Sequence, residues 1–162
     1  MSTHTHTPAQ PLPATPSGPT PPAVAWLGYG GLLPFLALAA TGLWAPGTPW
    51  WSAALLAYGA VILSFVGALH WGFAMAQSGL STPERTRCFI WSVVPSLMAW
   101  PATLLHPVAG SVLLIAGFAA HLVQDHRLAA RTSLPAWYLP LRWRLTATAC
   151  VCLAVGAWAA SR

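Results

Sequence analysis

Residues 58–72 read YGAVILSFVGALHWG and decide what kind of protein this chain forms. The stretch carries no formal charge and lies inside the longest apolar run of the chain, residues 51–76. An apolar run of about 20 residues is long enough to cross the hydrocarbon core of a bilayer as a helix. A histidine, His70, nevertheless stands near the end of the stretch, between Leu69 and Trp71. The sequence therefore predicts a membrane helix that carries an ionisable side chain.

The composition of the whole chain agrees with a membrane environment. Of its 162 residues, 56% are hydrophobic and only 6% are charged, whereas soluble domains usually contain about 25% charged residues. The ten tryptophans and thirteen glycines also fit, because tryptophan is enriched at bilayer interfaces and glycine is more frequent in membrane helices than in soluble ones. The chain is therefore expected to be an integral membrane protein.

Several functional classes lack support in the sequence. The net charge of +5 comes from seven arginines and no lysine, and these few charges do not form the basic face that nucleic-acid binding requires. The three cysteines, Cys88, Cys150 and Cys152, show neither a paired disulfide framework nor a Cys/His zinc spacing. No known catalytic or phosphate-binding motif occurs. The sequence thus predicts no nucleic-acid partner, no metal and no cofactor, and it assigns no enzymatic activity.

The chain divides into an N-terminal tail and a membrane domain. Residues 1–22 are rich in proline and threonine and could bury little apolar surface, so we expect a disordered tail. This tail has neither the basic start of a secretory signal nor the arginine-rich character of a transit peptide. Residues 23–160 are predicted to form an all-α bundle of five transmembrane helices, at about residues 23–44, 51–76, 87–105, 108–126 and 139–160. Pro34 should bend the first of these, because proline removes a helical hydrogen bond.

Arginines indicate the orientation of the bundle. With five crossings, one side of the membrane holds only Arg162, and the other holds six arginines: Arg85, Arg87, Arg127, Arg131, Arg142 and Arg144. Because loops rich in Lys and Arg stay in the cytoplasm, the N-terminus is predicted to be cytoplasmic and the C-terminus to lie on the other side.

The second predicted helix has a ridge of small side chains on one face. Ala60, Ser64, Ala68 and Gly72 recur at four-residue spacing, which lets another helix approach closely in a membrane. The ridge is predicted to be a helix-packing surface. If it faces lipid in the monomer, it would instead suit a second copy of the chain or another membrane protein, in addition to the lipid bilayer itself.

Two histidines are expected at a similar depth in the cytoplasmic half of the bundle. His70 and His121 each lie near the cytoplasmic end of a helix, and these two helices run in the same direction in the predicted topology. Asp125 follows His121 by four residues, so its carboxylate should accept a hydrogen bond from the imidazole. The candidate ligand-binding residues are therefore His70, Trp71, His121, Gln124 and Asp125.

An ionisable group inside a membrane helix marks a candidate functional site, because burial without a partner costs several kcal/mol. Four interpretations remain open. The histidines form structural hydrogen bonds between helices; they bind a proton, a small polar ligand or an ion; they ligate a haem from two sides; or they hold a metal with a third ligand. A separate possibility is that the protein is a structural or assembly partner of another membrane complex.

Three segments resemble the domain-of-unknown-function family 3429, which comprises small multi-helix membrane proteins of proteobacteria with relatives among mitochondrial transmembrane proteins. They are residues 58–72, residues 91–100 (WSVVPSLMAW) and residues 134–146 (LPAWYLPLRWRLT). The likeness extends over about residues 24–160, and the positions that match the family pattern are Ser64, Gly67, His70, Trp71, Gly72, Pro95, Gln124, Asp125, Trp137, Tyr138 and Arg142. The resemblance implies a protein of the bacterial or mitochondrial inner membrane and no particular activity. Because a transit peptide is lacking, we expect the bacterial inner membrane.

Overall fold

The structure is a computed structural model that describes residues 18–45, 48 and 50–162. Over these residues the chain is helical and contains no strand, which confirms the predicted all-α class. Its helices are α1 (Pro22–Gly30), α2 (Leu33–Trp44), α3 (Trp50–Ala76), α4 (Thr82–Ala102), α5 (Pro107–Ala129) and α6 (Tyr138–Ala160). Most of the predicted disordered tail, residues 1–17, lies outside the described residues, and residues 18–21 precede α1 without regular structure.

The first predicted helix is interrupted rather than continuous. Gly31 and Leu32 form a turn between α1 and α2, and Pro34 stands in the first turn of α2. Proline is tolerated there because the first backbone N–H groups of a helix have no partner within it. The hydroxyl of Tyr58 donates a hydrogen bond to the carbonyl oxygen of Gly31 at 2.8 Å. The bend expected at Pro34 is therefore a break, and a side chain of α3 satisfies a backbone group at that break.

The third predicted helix begins earlier than expected. The sequence placed its start near residue 87, whereas α4 begins at Thr82. The backbone N–H of Ser81 donates to Glu84 Oε2 at 3.0 Å, and the Ser81 hydroxyl donates to the same oxygen at 2.7 Å. A serine followed three residues later by glutamate is the usual capping box of a helix N-terminus. The cap extends α4 into the segment that had been assigned to the loop.

One arginine fixes the turn between α3 and α4. The guanidinium of Arg85 donates to the carbonyl oxygens of Ala74 and Gln77, the latter at 3.0 Å. Ala74 lies in the last turn of α3 and Gln77 directly follows the helix. A cation at this position also interacts favourably with the negative end of the helix dipole. The two helices are thus held as an antiparallel hairpin. We call this end of the bundle, which holds Arg85, Arg87, Arg127 and Arg131, the arginine-rich end.

Among the described residues, four stretches are long and apolar enough to cross a membrane: Pro22–Trp44, Trp50–Ala76, Pro107–Ala129 and Tyr138–Ala160. The first of these combines α1 and α2. The prediction of a multi-pass helical membrane protein is confirmed. Of the five predicted crossings, four are confirmed. The exception is α4, whose first turns carry Glu84, Arg85 and Arg87.

Helix α3 lies at the centre of the bundle and packs against α2, α4, α5 and α6. Its buried leucines meet buried leucines of α5 and α6 in the apolar core. Leu55, Leu63, Leu114 and Leu153 are at most 1% exposed. We call the part of this core around Leu55, Leu114 and Leu153 the apolar half of the bundle.

The predicted small-residue ridge of α3 does not form an interface along its whole length. Ala60 is buried and Ser64 is half-buried, but Ala68 and Gly72 are exposed. A Cβ added at Gly72 would have no neighbouring atom of the described residues within 4 Å. Within the monomer the ridge therefore packs against a neighbour only toward its Ala60 end, and Ala68 and Gly72 lie on the outer surface. Spacing shows where a neighbour could approach closely, but the fold decides which sides of α3 have neighbours.

The closest approach of α3 to α4 occurs on a different face. A Cβ added at Gly67 would lie 2.8 Å from the Cβ of Pro95, which is closer than real Cβ atoms pack. Glycine is therefore required at this position for α4 to lie against α3. The contact is one turn away from His70 and helps to set the distance of that histidine from α4.

Candidate functional site

Five polar side chains are buried together near the arginine-rich end of the bundle. We call them the polar cluster: His70 from α3, His121 and Asp125 from α5, and Tyr138 and Arg142 from α6. None is more than 8% exposed. The imidazole rings of His70 and His121 are in edge-to-face contact, with centroids 4.9 Å apart. The two histidines thus lie at a similar depth, as the sequence predicted.

Asp125 is the centre of the polar cluster and is fully buried. Its Oδ2 accepts a hydrogen bond from Arg142 Nε at 2.8 Å, and its Oδ1 accepts one from the Tyr138 hydroxyl at 3.1 Å. A carboxylate in a low-dielectric interior is tolerated only when it is paired and hydrogen-bonded. Arg142 and Tyr138 supply that pairing from the first turns of α6.

The two histidines approach the same carboxylate oxygen without reaching hydrogen-bond distance. His121 Nε2 lies 3.6 Å and His70 Nε2 lies 3.9 Å from Asp125 Oδ1. The predicted contact between His121 and Asp125 is present as proximity on one face of α5, but the hydrogen bond is not formed.

A tryptophan of α4 determines which ring nitrogen of His121 carries the proton. Trp91 Nε1 donates a hydrogen bond to His121 Nδ1 at 3.1 Å. An indole N–H can only donate, so Nδ1 must accept and the imidazole proton must reside on Nε2. His121 therefore presents an N–H group toward the interior of the polar cluster.

Several atoms of the polar cluster retain hydrogen-bonding capacity. Both ring nitrogens of His70, Nε2 of His121 and Nη2 of Arg142 are buried without a hydrogen-bond partner of normal geometry in the described part of the chain, although backbone groups of Gln124 and Val66 lie near the two imidazoles. A buried polar group left without a partner costs about 1–3 kcal/mol. The polar cluster thus contains more hydrogen-bonding atoms than its own residues pair with one another.

The donor set does not suit a metal ion, although three potential ligands lie close together. His70, His121 and Asp125 each offer one ligand atom, and these atoms lie within 4.8 Å of one another. A histidine that binds a metal uses an unprotonated nitrogen and usually donates its other N–H to an acceptor. At His121 the second nitrogen faces a donor, Trp91, which keeps Nε2 protonated. The chemistry at His121 therefore opposes metal binding through the nitrogen that faces Asp125.

The short distance between the two imidazole rings argues against the haem hypothesis. Two axial histidines bind haem iron from opposite faces of the porphyrin, so the macrocycle must fit between them. The rings of His70 and His121 are in direct edge-to-face contact. The arrangement therefore does not provide the axial ligand pair that this hypothesis requires.

Two of the residues predicted for the site, Trp71 and Gln124, are not members of the polar cluster. Trp71 is 50% exposed, and its ring packs edge to face against Phe89 with centroids 4.7 Å apart. Gln124 is half-buried and lines a cavity beside the polar cluster. The structure thus joins His70, His121 and Asp125, places Gln124 next to them and leaves Trp71 on the outer surface.

Sequence reasoning did not identify Tyr138, Arg142 and Trp91 as parts of the site. Arg142 was assigned to membrane orientation together with the other arginines. A signal was available, because a lone aspartate inside an apolar helix requires a cation nearby. For Trp91 the sequence contains no comparable signal, since its role depends on the crossing of α4 and α5.

A cavity of about 400 Å³ lies beside the polar cluster. His70 forms part of its inner wall, next to Gln124 and Trp91. Four charged residues of the α3–α4 and α5–α6 ends also line it, namely Glu84, Arg87, Arg127 and Arg131. The cavity thus connects one buried histidine of the polar cluster with the arginine-rich end of the bundle.

A second, mainly apolar groove of about 450 Å³ is lined by residues of α1, α2, α3, α5 and α6. Its walls include Phe35, Val66 and Phe118, and it also touches Tyr138 and Arg142. The polar cluster thus borders a charged cavity through His70 and an apolar groove through Tyr138 and Arg142.

The helical bundle and its buried charges define the chain as a multi-pass membrane protein with an internal polar site. More specifically, the chain belongs to the DUF3429 family, described as "Protein of unknown function", whose model matches residues 20–158. The resemblance seen in the sequence is thereby confirmed. Transmembrane protein 69 of Xenopus tropicalis is 36% identical over 135 residues, which cover 80% of this chain and 51% of that relative. The chain thus spans about half the length of this relative. No solved structure matches the chain.

Proposed function

We propose that this protein binds a small polar ligand at the polar cluster, and that the ligand enters through the cavity beside His70. One observation carries the proposal: four buried atoms of His70, His121 and Arg142 have no hydrogen-bond partner in the described part of the chain. Each such atom is costly, so a ligand that supplied partners would be stabilised. A cluster kept only for structural reasons would be expected to satisfy its own hydrogen bonds.

Access to the cluster supports the same function. His70 is 2% exposed, yet it lines the cavity that also touches the charged residues of the arginine-rich end. Internal cavities of about 300–1,000 Å³ with few polar groups are typical of small-molecule sites. The residues that would contact or surround the ligand are His70, His121, Gln124 and Asp125, whereas Trp71 points away.

We further propose that α4 crosses the bilayer as the fifth span. It packs against α3 and α5, and its outer side exposes large apolar residues that would be unfavourable in water: Ile90, Val93, Leu97 and Trp100. Five crossings place the arginine-rich end on the same side as the N-terminus. The bias of arginine toward that end supports a cytoplasmic N-terminus in the bacterial inner membrane. The polar cluster would then lie in the cytoplasmic half.

Histidine-selective ¹⁵N NMR on the purified chain in a lipid nanodisc tests ligand binding. The titrants are small polar compounds of each charge type: acetate, acetamide and methylammonium. At least one of them should shift the His70 and His121 ring resonances in a saturable manner, because it enters the cluster. His106 is exposed and precedes α5 at the opposite end of that helix, so its resonances serve as the internal control.

Two outcomes would contradict the proposal. In the first, the ring resonances of His70 and His121 stay unchanged with every titrant. In the second, they move only in parallel with His106, which would indicate a general solvent effect. Either result would favour purely structural hydrogen bonds among the helices.

A second candidate function is that of a partner in a membrane complex. Its support is the exposed end of the small-residue ridge, at Ala68 and Gly72, where another helix could approach closely. The variant Gly72→Leu should reduce the amount of any oligomer or complex seen by native mass spectrometry, whereas Met75→Leu, at an exposed position of the same helix, should not. Equal complex formation by both variants would exclude this face as the contact.

A further inference from the structure

We propose that the ligand of the cavity is a small organic anion that carries a carboxylate or a similar oxyanion group. This inference rests on the proposed polar-ligand function and names the class of ligand. It follows from three features of the cavity: its charge, the groups at its inner end and its apolar walls.

The charged residues that line the cavity are predominantly cationic. Arg87, Arg127 and Arg131 face a single acid, Glu84, so these four residues carry a net charge of +2, three positive charges minus one. Arg131 Nη1 lies 3.6 Å from Glu84 Oε1, which leaves Arg87 and Arg127 to dominate the field. A cleft lined by one sign of charge concentrates ligands of the opposite sign.

The inner end of the cavity provides hydrogen-bond donors. His70 is almost completely buried there, and neither of its ring nitrogens has a hydrogen-bond partner among the described residues. Gln124 adds an amide to the same wall. Asp125 does not make this region anionic, because Arg142 Nε lies 2.8 Å from its carboxylate. An oxyanion at the inner end would thus meet donors without an uncompensated negative charge.

The remaining walls suit the carbon skeleton of an organic ligand. Leu80, Ile90, Trp91 and Leu128 line the cavity. Apolar walls with a few convergent polar groups are typical of sites for small organic molecules. A hydrated inorganic cation would find neither carboxylate ligands at the inner end nor a favourable charge at the mouth.

The experiment compares acids with their uncharged amides on the full chain in nanodiscs at constant ionic strength. The pairs are acetate with acetamide and benzoate with benzamide, and the readout is the His70 ring ¹⁵N shift together with titration calorimetry. Because hydrogen bonds to a charged acceptor are about twice as strong as neutral ones, each acid should bind at least about tenfold more tightly than its amide.

The results separate this inference from the proposed function. Amides that bind as tightly as the acids would overturn the anion inference and leave the polar-ligand function in place. Methylammonium that binds more tightly than the acids would likewise overturn the anion inference and leave the polar-ligand function in place. The absence of binding by all of these compounds would overturn both.

Arginine variants test the charge of the cavity without disturbing the buried cluster. The double variant Arg87→Gln/Arg127→Gln should weaken benzoate binding about tenfold or more and reduce its dependence on salt. The matched control Arg162→Gln removes a cation that contacts Trp158 at the C-terminus of α6, and it should leave benzoate affinity unchanged. Equal weakening by Arg162→Gln, or no weakening by the double variant, would overturn the assignment of the cavity.

Discussion

The two ends of the same helices are stabilised in different ways. In the apolar half, leucines of α3, α5 and α6 pack together, and Leu55, Leu114 and Leu153 are at most 1% exposed. In the polar cluster, the same three helices contribute imidazoles, a phenol and a buried Asp125–Arg142 pair. Lipid tails are as apolar as leucine, so the apolar half is held by close packing rather than by exclusion from water.

Because of this difference, we place the candidate functional site in the polar cluster and not in the apolar half. Packing requires only complementary shapes, and the apolar half supplies them. The polar cluster introduces charged groups that are costly to place in a bilayer, and some of its polar atoms have no hydrogen-bond partner among the described residues. Substitutions in the polar cluster are therefore expected to leave buried charges or donors unpaired, whereas substitutions of the leucines are expected to leave cavities.

The largest effect is expected for Asp125→Asn. The change leaves Arg142 buried without a counterion, so the free energy of unfolding should fall by about 3–5 kcal/mol. Denaturant-induced unfolding in mixed micelles measures this change. The double variant Asp125→Leu/Arg142→Leu removes both charges and should recover most of the loss. If the single variant is as stable as the wild type, the Asp125–Arg142 pair does not support the bundle.

The next effect is expected in the apolar half, for Leu153→Ala. Loss of close packing should lower the free energy of unfolding by about 2–3 kcal/mol, because a cavity remains at a buried site. The ring resonances of His70 and His121 should not change. Val151 lies on the same helix and is exposed, so Val151→Ala is the control with little expected effect. Altered histidine resonances in Leu153→Ala would mean that the two ends are coupled.

A smaller loss of stability is expected for Gly67→Ala. This position of α3 lies between the apolar half and the polar cluster. The added methyl group would collide with the ring of Pro95, and overpacking of this kind costs about 1–3 kcal/mol. Gly72→Ala provides the control on the same helix, because a Cβ there meets no atom within 4 Å in the part of the chain that the structure describes. Thermal unfolding of the two variants in detergent measures the difference. Equal melting temperatures would show that α4 can move away from α3 at no cost.

The smallest change in stability, about 1 kcal/mol for a lost hydrogen bond, is expected for Trp91→Phe. Its informative consequence is spectroscopic, because His121 Nδ1 would lose the donor that fixes the ring proton on Nε2. The ¹⁵N spectrum of His121 should then show a mixture of tautomers. Trp100→Phe, at an exposed position of α4, should keep the wild-type spectrum. A pure Nε2–H signal in Trp91→Phe would mean that another group fixes the tautomer.

Much of the candidate site could be predicted from the sequence, because helical geometry is local. The four-residue step from His121 to Asp125 places both on one face of α5 wherever that helix packs. The shared depth of His70 and His121 followed from the lengths and directions of their helices. Trp71 was assigned wrongly because its neighbour in sequence is buried, whereas adjacent residues of a helix point in different directions.

The small-residue ridge of α3 illustrates the limit of local patterns. Its spacing predicted a packing face, but only Ala60 is buried, and Gly67 makes the close contact with α4 instead. The sequence contained both sets of small residues. It did not contain the position of α4 around α3, which depends on long-range packing.

By itself, the sequence determined the environment of this protein. Apolar runs of membrane length, few charges and arginines gathered near one end require a multi-pass helical protein, because the bilayer tolerates little else. Tertiary structure alone decided that Arg142 pairs with Asp125, that Trp91 sets the tautomer of His121 and that His70 borders a cationic cavity. These contacts join residues far apart in the chain, and their geometry depends on how the helices cross.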